Sequence, residues 1–189
     1  MRHDIVLEGF NCRLRPVCEA DAPFIIQVRT QERANGNINA TSTSVPEQVA
    51  WINRYLERAN DYYWIIECIS TGASIGTIGL YDFLSDGSEA MPGRWVMLSQ
   101  ADVNVMAPIF LMYAFAFERL GIKRLVSSVM PDNRKVLHFH KLLGARPIAT
   151  PERYAQKEVD SGICQRWFEL TEHDWLVMKD GWEPILNDF

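Results

Sequence analysis

Apolar and polar positions alternate over Cys12-Arg13-Leu14-Arg15 and then meet Pro16-Val17, which predicts a short first strand. Asp21 is placed to cap the helix that follows, with Pro23 in its first turn and Phe24, Ile25 and Val28 on its apolar face. From Gln31 to Thr43 the chain is polar and rich in Asn, Thr and Ser, which predicts a loop. Ser44-Val45-Pro46-Glu47 fits a capping box, with Ser44 as N-cap and Glu47 reaching back. The helix it opens carries Val49, Ile52 and Leu56, joined by Trp51 and Tyr55, on its buried side, and Asn60-Asp61 ends it. Tyr62–Ile69 and Ser74–Tyr81 are apolar runs joined by Ser70-Thr71-Gly72-Ala73, the pattern of two paired strands.

The second half is read the same way. Ser85-Asp86-Gly87-Ser88 and Pro92-Gly93 predict turns, and Arg94–Leu98 predicts a short strand. Ser99–Ala107 has little periodicity. A helix from about Pro108 to Leu120 is apolar nearly all round and must be buried, with Gly121 just past its end. Arg124–Met130 predicts a strand that Pro131-Asp132-Asn133 breaks, and Arg134–Leu143 a helix that Gly144 closes. A final hairpin is expected from Ala145–Tyr154 and Ile163–Leu170, and Thr171-Glu172-His173-Asp174-Trp175 opens a terminal helix. The strand and helix order up to that helix is β-α-α-β-β-β-α-β-α-β-β. It predicts one α+β domain over residues 1–189, a mixed central sheet flanked by helices.

Composition narrows the function classes. The chain has 189 residues, 48% hydrophobic and 23% charged, a globular balance that needs no metal or disulfide staple. Lys+Arg is 19 and Asp+Glu is 24, so the net charge is 19 − 24 = −5, which argues against nucleic acid as a partner. No apolar run reaches the roughly 20 residues of a membrane span, and Met-Arg-His-Asp, with an early acid and no long apolar core after it, is not expected to open a signal peptide. Cys12, Cys18, Cys68 and Cys164 lack Cys-x-x-Cys spacing and are read as reduced thiols of a cytoplasmic protein. His138 and His140 lie two apart on a helix and point in different directions, so no metal site is expected.

Four pieces of the chain carry a family resemblance: Leu14-Arg15-Pro16 with Asp21; Ile75-Gly76-Thr77-Ile78-Gly79-Leu80; Tyr113-Ala114-Phe115-Ala116-Phe117-Glu118-Arg119-Leu120-Gly121 followed by Arg124; and Asn133 through Gly144. In this order they resemble the GNAT superfamily of acetyl-CoA-dependent N-acetyltransferases. The resemblance is nearest to the branch of ribosomal-protein alanine and nucleotide-amino-sugar acetyltransferases. The stretch Ser44–Ile66, with Trp51 and Tyr62-Tyr63-Trp64, resembles the amino-sugar group in particular. The resemblance implies acetyl-CoA as co-substrate and a primary amine, small-molecule or peptide, as acceptor.

Moving an acetyl group from a thioester to an amine requires donors for the cofactor's phosphates, a neutral amine, a donor for the thioester oxygen and a proton for the departing thiolate. The family's phosphate loop reads Arg/Gln-x-x-Gly-x-Gly/Ala before the central helix, where a helix N-terminus suits phosphate. Here that stretch is Gln100-Ala101-Asp102-Val103-Asn104-Val105, leading into Met106. Gln100 fits the first position, both glycine positions are valine, and Asp102 adds a negative charge. The resemblance places Met97 and Leu98 where a splayed strand offers backbone N–H groups to the pantetheine arm and the thioester oxygen. It also implies cofactor contact at Asn133. The family's fourth helix carries a Tyr seven residues after the Asn, as the acid for the thiolate; here that residue is His140. Asp82, at the end of a strand near the expected cleft, is the first candidate base, ahead of Glu67 and Glu89, which are expected to face solvent; a water chain without a dedicated base is the equal alternative. Ser127 and Ser128 are candidates to line the cleft; Trp51, Tyr62, Tyr63 and Trp64 are read first as core aromatics and second as flat surfaces for a planar acceptor; Arg29, Arg33 and Arg94 are read as solvated or, alternatively, as meeting anionic groups. Two alternatives stay open: a longer acyl-CoA as donor, and a non-catalytic module that binds acyl-CoA or a partner. Trp182, Ile185, Leu186 and Phe189 form an apolar tail available to its own domain or to a second copy in a homodimer.

Overall fold

The computed structural model describes residues 3–33, 42–98 and 103–188. Eight strands form one sheet: β1 (Leu7–Gly9), β2 (Cys12–Pro16), β3 (Tyr62–Cys68), β4 (Ser74–Tyr81), β5 (Glu89–Met97), β6 (Arg124–Val129), β7 (Arg146–Ile148) and β8 (Arg166–Thr171), in the spatial order β1-β2-β3-β4-β5-β6-β8-β7. Among the described residues six helices flank it: α1 (Ala22–Arg33), α2 (Val45–Leu56), α3 (Ala107–Ala114), α4 (Arg134–Leu142), α5 (Glu152–Ser161) and α6 (Glu172–Asn187). β1 to β5 run antiparallel, and β5 meets β6 in parallel through the crossover that contains α3. This is the α+β architecture with a mixed sheet that the residue pattern predicts. Among the described residues no helix is long and apolar enough to cross a membrane.

The sheet is buried on both faces, and strand alternation sorts its side chains. Trp64, Ile66, Ile78 and Leu80 pack against α3 and α6 in the main core, with Ala107, Met112, Phe115 and Trp175. Tyr63 and Ile65 point the other way, onto α1 and α2, with Ile25, Ile52 and Tyr55. A third cluster joins Met91, Val126 and Trp167, covered by Tyr154 of α5. The buried central helix is therefore where its apolar run demands. Its last turn widens into a π segment (Phe115–Arg119), where Leu120 N–H donates to the Phe115 carbonyl at 3.0 Å.

Five local expectations change. A strand, β1, precedes the expected first one; Phe10 and Asn11 both take positive φ (54° and 56°), the geometry of a tight two-residue hairpin turn, without the usual Asn-Gly signal. Asp21 does not cap α1 through its own side chain; it ends a 3₁₀ turn (Glu19–Asp21), accepting from the Cys18 N–H at 2.8 Å and from Arg15 at 2.7 and 2.8 Å. At Ser44 only half of the box forms: its Oγ accepts from Glu47 N–H at 3.4 Å while Glu47 is exposed. Pro92-Gly93 is not a turn but lies inside β5, where the Tyr81 ring leaves no room for a Cβ at Gly93. The expected final hairpin is interrupted: residues 152–161 form α5, not strand, closed by Gly162 in the left-handed region (φ 65°). Tyr154 and Glu158 lie one turn apart on its inner face and pack on β8.

Candidate active site

The parallel contact between β5 and β6 is brief. Only Glu89↔Arg124 and Ala90↔Leu125 are paired; beyond them β5 stays with β4 and β6 with β8. The two strands open into a cleft of about 1420 Å³, lined by residues 91–96 on one side and 127–130 on the other. Leu98 N–H donates to the Ile75 carbonyl at 2.8 Å, so that amide is committed to β4. Antiparallel pairs alternate in direction, so the Met97 N–H and C=O point away from β4, toward the open side.

A β-bulge holds the cleft wall. Thr77 pairs with Val96 and Gly79 with Gly93, so Arg94 and Trp95 together stand opposite Ile78. Arg94 takes positive φ (52°), and its carbonyl accepts from Thr77 Oγ1 at 2.7 Å. Its guanidinium turns into a ring of aromatics, 4.3 Å from the Tyr81 centroid and 5.2 to 5.8 Å from those of Tyr63, Trp51 and Tyr55. Asp61 closes the site with a two-pronged ion pair, one arm at 2.9 Å. Burial opposes the charge on Arg94, and the Asp61 hydrogen bonds and charge more than restore it. Asp61, Tyr81 and this use of Arg94 have no local motif; a buried Arg is readable only once β4 and β5 are paired.

At the inner end of the cleft, His140 is buried on α4 and Ser127 lies on β6. Ser127 Oγ and His140 Nε2 are 2.7 Å apart, and His140 Nδ1 lies 2.9 Å from the Val136 carbonyl. A carbonyl only accepts, so Nδ1 carries the proton. Burial lowers the imidazole pKa below its ordinary 6.5, only partly offset by the Val136 bond. At neutral pH the ring is therefore neutral, and Nε2 accepts the Ser127 hydroxyl proton. His140, the residue expected as the acid for the thiolate, stands in the cleft as a neutral imidazole paired with a serine.

The outer half of the cleft is walled by α1 and α2 through Arg29, Gln48, Trp51 and Arg54, and by α5 and β8 through Tyr154, Lys157, Glu158 and Trp167. Asp82 lies at its mouth, exposed, with φ 52°. Tyr154 stacks on Trp167 at 4.6 Å. Burial holds its phenol neutral, pushing it up to about 12 against the pull of Arg153, with Asp82 and Glu89 adding to the rise. Among the described residues the Tyr154 hydroxyl and the Trp95 indole N–H are buried in this cleft without hydrogen-bond partners. These contributions from α5 lay hidden because residues 152–161 were expected partly as strand and partly as a polar connection.

Other expected site residues lie elsewhere. Tyr62 and Trp64 stack on each other at 5.7 Å and pack on Phe115 in the main core, so the expected aromatic group divides: Trp51 and Tyr63 line the cleft, and these two do not. Glu67 does not face solvent alone; it pairs with Arg15 at 2.7 Å and Arg13 at 3.8 Å. Glu89 is not solvated: it is 3% exposed and bound by Arg124 and Arg153, tying α5 to the point where the strands part. Gln100 lies outside the described residues, as does the side chain of Arg33. Val103 is buried and Val105 exposed. Asn104 binds the helix start itself, its Oδ1 accepting from Met106 N–H at 3.0 Å and its carbonyl from Ala107 N–H at 2.9 Å. Asn133 caps α4 through Val136 N–H at 3.2 Å and lines the cleft beside Arg134 and Lys135.

Comparison with known proteins meets this geometry. Residues 11–146 match the acetyltransferase (GNAT) domain family. The structure of apo FdhC, a nucleotide-linked sugar GNAT, superposes with a TM-score of 0.81 at 26% identity, covering 97% of this chain and 99% of that one. A GCN5-related N-acetyltransferase from Brucella melitensis gives 0.78 at 15% identity, covering 97% and 86%. A variant of the spermidine N-acetyltransferase SpeG from Vibrio cholerae gives 0.70 at 15%, covering 89% and 98%. No curated protein matches. A sheet that parts between β5 and β6, a buried crossover helix behind it and a domain match over most of the chain together place this protein in the GNAT family of acetyl-CoA-dependent N-acetyltransferases.

Proposed function

We propose that the acceptor is a primary amine on a nucleotide-linked sugar. The observation that carries this reading is the make-up of the outer cleft, which Arg29, Arg54 and Trp51 line on one wall and Lys157 and Tyr154 on the other. Cations suit the phosphates of a nucleotide, an aromatic face suits its base, and the partnerless Tyr154 hydroxyl suits a sugar hydroxyl. The 26% identity to a nucleotide-linked sugar GNAT supports the same class.

In this reading acetyl-CoA lies along β5, its pantetheine arm at the outward-facing Met97 backbone and not at the Leu98 amide, which β4 holds. Its phosphates turn toward the Val103–Met106 segment, with Asn133, Arg134 and Lys135 alongside. The Met106 and Ala107 amides now held by Asn104 are released to the phosphates. Asp82, at the mouth, receives the first proton of the arriving ammonium and passes it to solvent. His140 serves the thiolate at the inner end.

The test is thiol release from acetyl-CoA with three acceptor classes: amino-sugar nucleotides, polyamines and peptides with free N-termini. The expected result is a kcat/KM for at least one sugar nucleotide well above those of the other two. A clear preference for peptides or polyamines overturns the assignment.

A further inference from the structure

We infer that Ser127 is the group that contacts the reacting atoms, and that it works with His140 as a proton relay from the attacking amine to the departing thiolate. The inference rests on the reading of the β5–β6 cleft as the acetyl-transfer site. Ser127 is the second residue of β6 past its last pair with β5, so it stands where the strands have just parted. It is half-buried and lines the cleft, while His140 is 8% exposed behind it. The 2.7 Å contact aims the hydroxyl proton at Nε2, and the Val136 carbonyl fixes the tautomer that leaves Nε2 free to accept it. Phe168 covers the imidazole at 4.8 Å, with Phe139 beside it, so the ring is held in one orientation. The atom that faces the substrate is therefore the serine oxygen, which accepts a proton on that side as its own is held by Nε2.

The step balances without any further reactant. The amine nitrogen attacks the thioester carbon, a C–N bond forms and the C–S bond breaks. The proton on nitrogen passes to Ser127 Oγ as the serine's own proton passes to His140 Nε2. The imidazolium then returns a proton to Ser127, which gives one to the sulfur. Amide and free thiol leave, and both side chains recover their starting states. Burial of His140 suits this part, because it makes the imidazolium short-lived and a ready donor. His140 acts through Ser127 and is a positioning residue; Ser127 is the catalytic one.

The experiment compares Ser127→Ala, Ser127→Thr and His140→Gln with the wild type in thiol release, after circular dichroism and coenzyme A titration show that each variant folds and binds. Ser127→Ala is expected to lower kcat by about 10²-fold with the KM for acetyl-CoA unchanged. Ser127→Thr, which keeps the hydroxyl, is expected to recover most of that loss. His140→Gln keeps an acceptor for the serine but cannot take a proton; kcat is expected to fall, together with the solvent deuterium isotope effect on kcat. A Ser127→Ala enzyme with wild-type kcat, or a threonine variant as slow as the alanine one, overturns the relay while leaving the cleft assignment intact. A wild type that binds coenzyme A but releases no thiol with any amine removes the cleft assignment and the relay together.

Discussion

Replacing Asp61 with Asn isolates the interaction that holds the cleft wall. The side chains of Asp61 and Arg94 are 8% and 14% exposed, and both carboxylate oxygens are used by the guanidinium. Asparagine keeps the shape but has one acceptor oxygen and no charge, so a buried cation is left with half of its partner. Breaking a buried pair from one side costs about 3–5 kcal/mol. The four aromatic rings around Arg94 offset part of this, which places the expected loss near the lower end, about 3 kcal/mol. For a domain of this size each kcal/mol moves the melting temperature by about 2–4 °C, so a fall of roughly 6–12 °C is expected. Urea unfolding of Asp61→Asn gives the free energy directly. The double variant Asp61→Asn with Arg94→Met removes the stranded charge and is expected to be more stable than Asp61→Asn alone. If the single variant unfolds within about 0.5 kcal/mol of the wild type, the typical range for a surface substitution, or if the double variant is the weaker of the two, the pair does not hold the wall.

Gly76→Ala places a Cβ against the Val96 carbonyl, closer than any real contact, so β4 and β5 must separate; a loss of about 1–3 kcal/mol in urea unfolding is expected, and no loss contradicts the register. Glu89→Gln weakens the charge-assisted bonds from Arg124 and Arg153; unfolding free energy falls by about 2 kcal/mol and trypsin cuts α5 at Arg153 or Lys157 sooner, whereas unchanged cleavage means that α5 is held by its other contacts. His140 gives a pH signature. Its folded-state pKa is below the unfolded value of 6.5, so the unfolded chain binds more protons and stability falls as pH drops below 6.5, levelling off beneath the folded value. His140→Gln is expected to flatten urea-unfolding stability in that window. The carboxylates held low, Asp21, Asp86, Glu158 and Asp174, act only further into acid; a wild-type curve already flat below 6.5 contradicts a neutral buried imidazole.

Elements with a strong period were legible in the residues. The buried α3 follows from an apolar run with Pro and Gly at its ends, and the β3–β4 hairpin from two apolar runs around a turn. Short or dual-signal segments were not. β1 has three residues and a Phe-Asn turn, and α5 carries the β-compatible Tyr154 in its first turn and exposes most of its length. At the site, a helix position was legible, because Asn133 caps α4 and fixes the register that brings His140 to the cleft. Its chemistry was not, because neutrality comes from burial, and the partner of Nε2 is Ser127, thirteen residues away on another element. Glu89 illustrates the same limit: a polar residue in a turn-rich stretch is solvated by default, and only the meeting of β5, β6 and α5 buries it.

The most direct test of the acetyl-transfer cleft is a crystal structure of the complex with coenzyme A. The account predicts a pantetheine arm lying between β5 and β6, its amides bonded to the outward-facing backbone of β5 and its sulfur beside Ser127. Coenzyme A bound elsewhere, or a complex in which Met91–Met97 and Val126–Val129 are joined by ladder hydrogen bonds, contradicts it.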